Sequence, residues 1–174
     1  HILTEADLDP TLVIGGRVRS LAGNAQIGKG DILVAEADES DGTFLLLSPS
    51  VAVVTNIDRE HIEYYGTMEG LADAFLEFIN KVRFYGIAVL CLDDPRVRGL
   101  LPRMNKRVVT YGLSADADFS AGEVRTQGME SAFSVLHHGR EVGAVTLPMP
   151  GRHNVANALA AVAVAAELGV DCLL

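Results

Sequence analysis

The feature that most constrains the fold is a set of short, unbroken apolar runs at residues 32–37, 51–56 and 87–92. A strand with one wet face alternates apolar and polar residues, whereas a strand covered on both faces need not. Unbroken runs of this length read as strands of a parallel sheet with helices on either side. The intervening segments agree. Residues 68–82 place Leu71, Phe75, Phe78, Ile79 and Val82 at helical spacing. Asp94-Pro95 opens a short helix running to about Met104, with proline in its first turn. Residues 107–111 form a further strand, and residues 10–16 an earlier one that stops in a Gly15-Gly16 turn. The order β-α-β-α-β defines an α/β fold, a mostly parallel sheet flanked by helices.

Further along, the pattern changes. Residues 118–126, 130–137 and 141–147 alternate polar and apolar side chains, with turn signals at Gln127-Gly128 and His138-Gly139. They read as a small antiparallel β-ribbon. Residues 154–168 form an alanine-rich helix that Gly169 stops. It is apolar nearly all round, which predicts burial within a larger assembly.

Ligands of α/β sheets bind at the carboxyl ends of the strands. The run at 32–37 leads into Glu36, Asp38, Glu39 and Asp41, with Asp31 just ahead. Such oxygen donors suit Mg2+, which takes one or two carboxylates plus water and phosphate. A solvated acidic loop accounts for the cluster equally well. Glu36 stands apart: it follows four apolar residues and is expected near the sheet, where an unpaired charge is costly. His61 ends the loop after the next strand, amid Asp58 and Glu60, with Tyr64 and Tyr65 close behind. A lone histidine is more often structural than a ligand, but one placed there can bind a metal or hold a phosphate.

A third constellation is Pro150-Gly151-Arg152-His153-Asn154-Val155-Ala156-Asn157-Ala158. Asn154 and Asn157 share a helix face, and their amides offer the paired donor and acceptor that suit a purine edge. An N-cap role explains Asn154. It does not explain Asn157, which lowers helix propensity in an alanine-rich run. Gly15-Gly16 and Gly28-Lys29-Gly30 lack phosphate-loop spacing and read as turns. His137-His138 reads as part of a hairpin turn, and Cys91 as core packing.

The net charge of −9 argues against nucleic acid or an anionic membrane as partner, since both need basic patches. Cys91 and Cys172 lack metal-type spacing, which suggests a reduced, cytoplasmic setting. No apolar run approaches the roughly 20 residues of a membrane span, and no signal peptide is legible. The chain opens on His1, and its first residues read as the end of an element, so it is expected to begin inside a larger protein.

Together, Glu36-Ala37-Asp38-Glu39-Ser40-Asp41, Thr55-Asn56-Ile57-Asp58-Arg59-Glu60-His61, Phe84-Tyr85-Gly86 with Asp93-Asp94-Pro95, and the 150–158 segment resemble the Mur ligases of bacterial cell-wall synthesis, nearly end to end. The Glu-Ser-Asp form of the first motif is similar to the alanine-adding branch; the tripeptide-recycling branch looks more like Glu-Tyr-Asp. The resemblance implies a three-domain enzyme that couples ATP hydrolysis to amide formation. Residues 1–174 would be its central, P-loop NTPase-like ATP-binding domain, without the UDP-binding and C-terminal domains. It implies ATP and Mg2+ as cofactors, and UDP-N-acetylmuramate and L-alanine as substrates. It assigns Glu36 to Mg2+ near the γ-phosphate. His61 would ligate a second Mg2+ or steady the transferring phosphoryl. His153, Asn154 and Asn157 would line the adenine pocket, and Ser40, Asp41 and Asn56 would lie toward substrate.

The departures from the family pattern matter as well. The Gly-Thr-His-Gly-Lys-Thr phosphate loop that opens this domain in the family is absent. Sister ligases carry a carbamoylated lysine at the position near Phe75, whereas Lys81 here is more than a turn away. The chain alone is therefore expected to be inactive, and exposed apolar surface is expected to make it self-associate. The alternative from another class is a non-catalytic nucleotide-binding scaffold.

Overall fold

The computed structural model describes residues 1–15 and 24–171. The expectations on Gly16 and Cys172 fall outside these residues. The chain divides into two compact units, one ending at Glu39 and the other beginning at Ser40.

The first unit holds the short helix α1 (Ile2–Glu5) and three strands, β1 (Thr11–Val13), β2 (Ala25–Gln26) and β3 (Leu33–Ala35). β1 pairs in parallel with β3 and antiparallel with β2. The Gly28-Lys29-Gly30 segment folds back on the start of β1: Gly28 N–H donates to Thr11 Oγ1 at 3.1 Å and Lys29 N–H to Asp9 Oδ2 at 2.9 Å. A Cβ on Gly28 would lie 2.0 Å from the Asp9 carbonyl oxygen, so only glycine permits this approach. Where the spacing suggests a turn, the segment makes a bend at Lys29 and Gly30. The expectation that residues 32–37 are covered on both faces is not met. β3 is shorter, and Leu33 and Val34 are 62% and 39% exposed. A sheet of three short strands is too small to shield both faces of its own members.

The second unit carries the larger sheet, with strand order β4-β5-β6-β7-β8-β9. These are β4 (Val51–Val54), β5 (Ile87–Cys91), β6 (Val108–Gly112), β7 (Phe119–Gln127), β8 (Glu130–His137) and β9 (Arg140–Leu147). β4 to β7 run parallel, and β7 to β9 antiparallel. The ribbon is therefore not a separate piece. Tyr111 pairs with Phe119 and Gly112 with Ser120, so it extends the parallel sheet. Its alternation fits a ribbon whose Phe119, Phe133 and Val135 share a core with Val155, Leu159 and Ala163.

Helices α2 (Ile62–Tyr65), α3 (Met68–Asn80), α4 (Pro95–Leu100) and α5 (Arg152–Glu167) complete the unit. β5 is buried at every residue. Its side chains alternate between two cores, as a pleated strand requires. Ala88 and Leu90 join Leu71 and Ile79 of α3 and Val97 of α4. Ile87, Val89 and Cys91 join Val155, Leu159 and Ala163 of α5. The predicted helix at 68–82 is α3, started by Thr67, whose side chain accepts the Gly70 N–H. α5 is buried on one face and not all round: Ala161 and Ala166 lie on the solvent side. Alanine makes the composition look uniformly apolar without demanding burial. The helix ends as its sequence predicts. Gly169 adopts φ +72°, and Val170 N–H donates to the Ala165 carbonyl at 2.9 Å.

Candidate functional site

β4, β5 and β6 run the same way, and a cavity of about 600 Å³ opens beyond their carboxyl ends. Residues just past each strand line it: Thr55 and Asn56 after β4, Asp93 and Asp94 after β5, Leu113 and Ser114 after β6. The first turns of α5 supply another side through Arg152, His153, Ala156 and Asn157. His153, Ala156 and Asn157 stand at i, i+3 and i+4, so one helix face presents them. Gly151 makes the entry possible. It adopts φ +111°, and a Cβ there would sit 2.8 Å from His153 Cε1.

Asn154 behaves differently from its neighbours. Its amide donates to the Pro150 carbonyl at 2.7 Å, and it is not among the cavity residues. It ties the helix start to the preceding turn, while Gly151 is the N-cap and has no side chain to offer. Asn56 does face the cavity; its side-chain oxygen accepts the Thr55 hydroxyl at 3.0 Å.

Cys91 and Tyr111 form part of the cavity lining from within the sheet. Both are buried. Burial pushes the Cys91 thiol up, so it is a protonated packing group and not a nucleophile. Burial likewise raises the Tyr111 phenol far above its ordinary value of 10.0, so the ring stays neutral. Its hydroxyl donates to the Val54 carbonyl at a long 3.4 Å.

Asp93 and Asp94 divide the labour of their motif. Asp94 caps α4, accepting Arg96 N–H and Val97 N–H at 2.9 Å each. Asp93 reaches across to the neighbouring strand end, where Leu113 N–H and Ser114 N–H donate to it at 2.7 and 2.9 Å.

The remaining sequence candidates sit elsewhere. In the first unit, Glu36 is exposed, not buried against the sheet, and its Oε2 accepts the Gly15 N–H at 2.6 Å. In the second unit, His61 starts α2 in a left-handed conformation, φ +56°, which is unusual for a residue with a side chain. Its ring makes no capping hydrogen bond, and it is not among the cavity residues. Asp41 accepts the Thr43 N–H at 2.9 Å and the Thr43 hydroxyl at 2.6 Å. These bonds hold its carboxyl below the ordinary 3.8 and start the 3₁₀ turn Thr43–Leu46, which seats Phe44 against Phe75 and Phe78. Ser40 precedes it in the same turn, half-buried. Lys81 is paired with Glu77 and also donates to the Leu45 carbonyl.

Sequence reasoning did not anticipate Tyr111 or the reach of Asp93. The second was accessible in part: two adjacent aspartates cannot both cap one helix, so one had to serve a tertiary contact.

Fold and cavity define an α/β domain with a candidate ligand site at the carboxyl edge of its parallel strands. The chain belongs to the Mur ligase family: the family profile described as the Mur ligase middle domain matches residues 18–165. It is similar to the UDP-N-acetylmuramate–L-alanine ligase of a Geobacter species, 57% identical over 169 residues, covering 97% of this chain and 37% of that protein. The enzyme of the same name from Syntrophobacter fumaroxidans is 55% identical over 170 residues, covering 98% and 36%. The chain thus spans little more than a third of the curated relatives it matches. Among solved structures, it resembles the UDP-N-acetylmuramate:L-alanyl-gamma-D-glutamyl-meso-diaminopimelate ligase of Neisseria meningitides, with a TM-score of 0.86 and 26% identity over 99% of this chain and 57% of that one. The UDP-N-acetylmuramate–alanine ligase of Thermotoga maritima gives a TM-score of 0.84 and 29% identity over 98% and 38%.

Proposed function

We propose that this chain is the nucleotide-binding domain of a cytoplasmic, ATP-dependent ligase that joins L-alanine to UDP-N-acetylmuramate in peptidoglycan synthesis. One observation carries the reading: Asn56, His153 and Asn157, far apart in the chain, open into one cavity at the carboxyl ends of parallel strands. Amide and imidazole groups there can match the donors and acceptors of adenine, and about 600 Å³ suits a small-molecule ligand. The names of the relatives supply the substrates.

A Mg2+ ion would screen charge during phosphoryl transfer. The donor set fits it through Glu36, a hard oxygen ligand with one oxygen engaged by Gly15 N–H and acceptor capacity to spare. His61, with no capping bond to make, suits contact with the transferring phosphoryl. His153 and Asn157 hold and orient the nucleoside, and Asn56 presents its amide beside them. In the overall reaction the muramate carboxylate attacks the γ-phosphorus and ADP departs. The alanine amine then attacks the acyl carbon and phosphate leaves.

The sequence contains no phosphate loop to cradle the β- and γ-phosphates. The chain alone is therefore expected to bind adenine nucleotide weakly and to form no UDP-N-acetylmuramoyl-L-alanine. Product formation by the chain alone at the rate of a whole ligase would refute this reading. A tripeptide-adding activity is the second reading: a ligase named for that substrate and one named for alanine share this fold almost equally, at TM-scores of 0.86 and 0.84. Parallel ligation assays of the complete enzyme with L-alanine and with L-alanyl-γ-D-glutamyl-meso-diaminopimelate separate the two.

A further inference from the structure

We propose that Asp93 is a positioning residue that sets one wall of the nucleotide cavity, acting through the backbone that follows β6. The proposal rests on the nucleotide reading above. Asp94 is accounted for by its cap on α4, but Asp93 performs no such local task. Its carboxylate crosses to the next strand end, where Oδ2 accepts Leu113 N–H at 2.7 Å and Oδ1 accepts Ser114 N–H at 2.9 Å. Leu113 and Ser114 both line the cavity.

The joint has a second half. Gly112 adopts φ +153°, and a Cβ on it would sit 2.7 Å from Asp93 Oδ1 and 3.0 Å from Oδ2. The missing side chain lets the carboxylate come in close, and the carboxylate draws in the two N–H groups. An ionised carboxylate accepting two amides is a charge-assisted clasp. Asparagine cannot reproduce it, because its amide nitrogen is a donor and would face one of the N–H groups. The clasp fixes the bend at 113–114, while α5 independently fixes His153 and Asn157. A ligand that touches both sides of the cavity reads the position of that bend as affinity.

The test is an NMR titration of ATP into the ¹⁵N-labelled chain and into Asp93→Asn, Gly112→Ala and Asp116→Asn. Asp116 pairs with Arg98 and is not among the cavity residues, so its variant is the charge control. Displacing a binding wall by a fraction of an ångström is expected to weaken ATP binding about tenfold in the Asp93 and Gly112 variants. Leu113 and Ser114 amides should exchange faster in both, while melting temperature and the affinity of the control stay close to the parent. Gly112→Ala retains every charged group, and so carries the test if Asp93→Asn does not fold. Unchanged affinity in the variants, with the two amides exchanging fast, overturns the proposal and leaves the nucleotide reading standing. No ATP-induced shifts in the unaltered chain overturn that reading, and the proposal with it.

Discussion

Leu159→Ala is the most direct trial of how α5 is seated. Leu159 is fully buried, within the core that joins α5 to β5 and β6 through Val89 and Tyr111. Truncation removes its isobutyl group and leaves a hole. The residues around it include Ala160 and Ala163, which have no side-chain length with which to fill the space. The loss therefore belongs well inside the range for buried leucines, about 3–4 kcal/mol. For a chain of this size that lowers the melting temperature by about 10 °C. Urea unfolding followed by circular dichroism should show the midpoint falling with little change in slope, as for a pure stability loss. His153 and Asn157 ride on the same helix, so ATP affinity of the folded protein should also fall, by roughly two- to threefold if the helix start shifts slightly. A stability loss below about 1 kcal/mol would show that α5 does not pack on the sheet as described.

The two asparagines of the 150–158 segment should separate by phenotype. Asn154→Ala should cost about 1 kcal/mol of stability, through the lost bond to Pro150, and change ATP affinity little. Asn157→Ala should do the reverse, with titration and melting read side by side. Asp41 should titrate below 3.8 by carbon-detected NMR, because the Thr43 hydroxyl and N–H stabilise its ionised form. A depressed carboxyl contributes stability above its unfolded value and loses it as pH falls through the folded one, so the 43–46 turn should loosen only in acid. Asp41→Asn should abolish that dependence, and an unshifted Asp41 signal would contradict the bonding described. Finally, exposed Val13, Leu33 and Val34 in the first unit are expected to drive self-association at high concentration. Light scattering should register it, and Leu33→Lys should reduce it.

The larger sheet was readable because its residues meet the demands of their own neighbourhood. The run at 87–92 is buried on both faces, as continuous apolarity requires, and Asp94 and Gly169 mark helix ends by local chemistry alone. The run at 32–37 misled because apolarity records what a strand is suited to, not what covers it. At the site, spacing put Asn154 and Asn157 on one helix face and only the family resemblance pointed to His153; neither could bring Asn56 to the same cavity, which strand order does. Asn154 is the contrasting case. Its spacing to Asn157 suggested a shared task, whereas a carbonyl at Pro150 claims its amide. Tyr111 left no trace, since a buried tyrosine in a strand looks like any other core aromatic.

The seating of α5 also has a consequence for synthesis. Within the second unit, the strands whose ends frame the cavity leave the ribosome ahead of the three-stranded ribbon, and the helix that closes the site follows both. Until α5 docks, the face of β5 and β6 that it covers is bare, and no ligand can help hold it shut. The ribbon continues the sheet from β6 through β7, so it can pair on the template already present while the site stays unfinished. The pocket is then the last part of this unit to mature, and in a nascent chain stalled just short of residue 152 the sheet would be exposed to chaperones along that face.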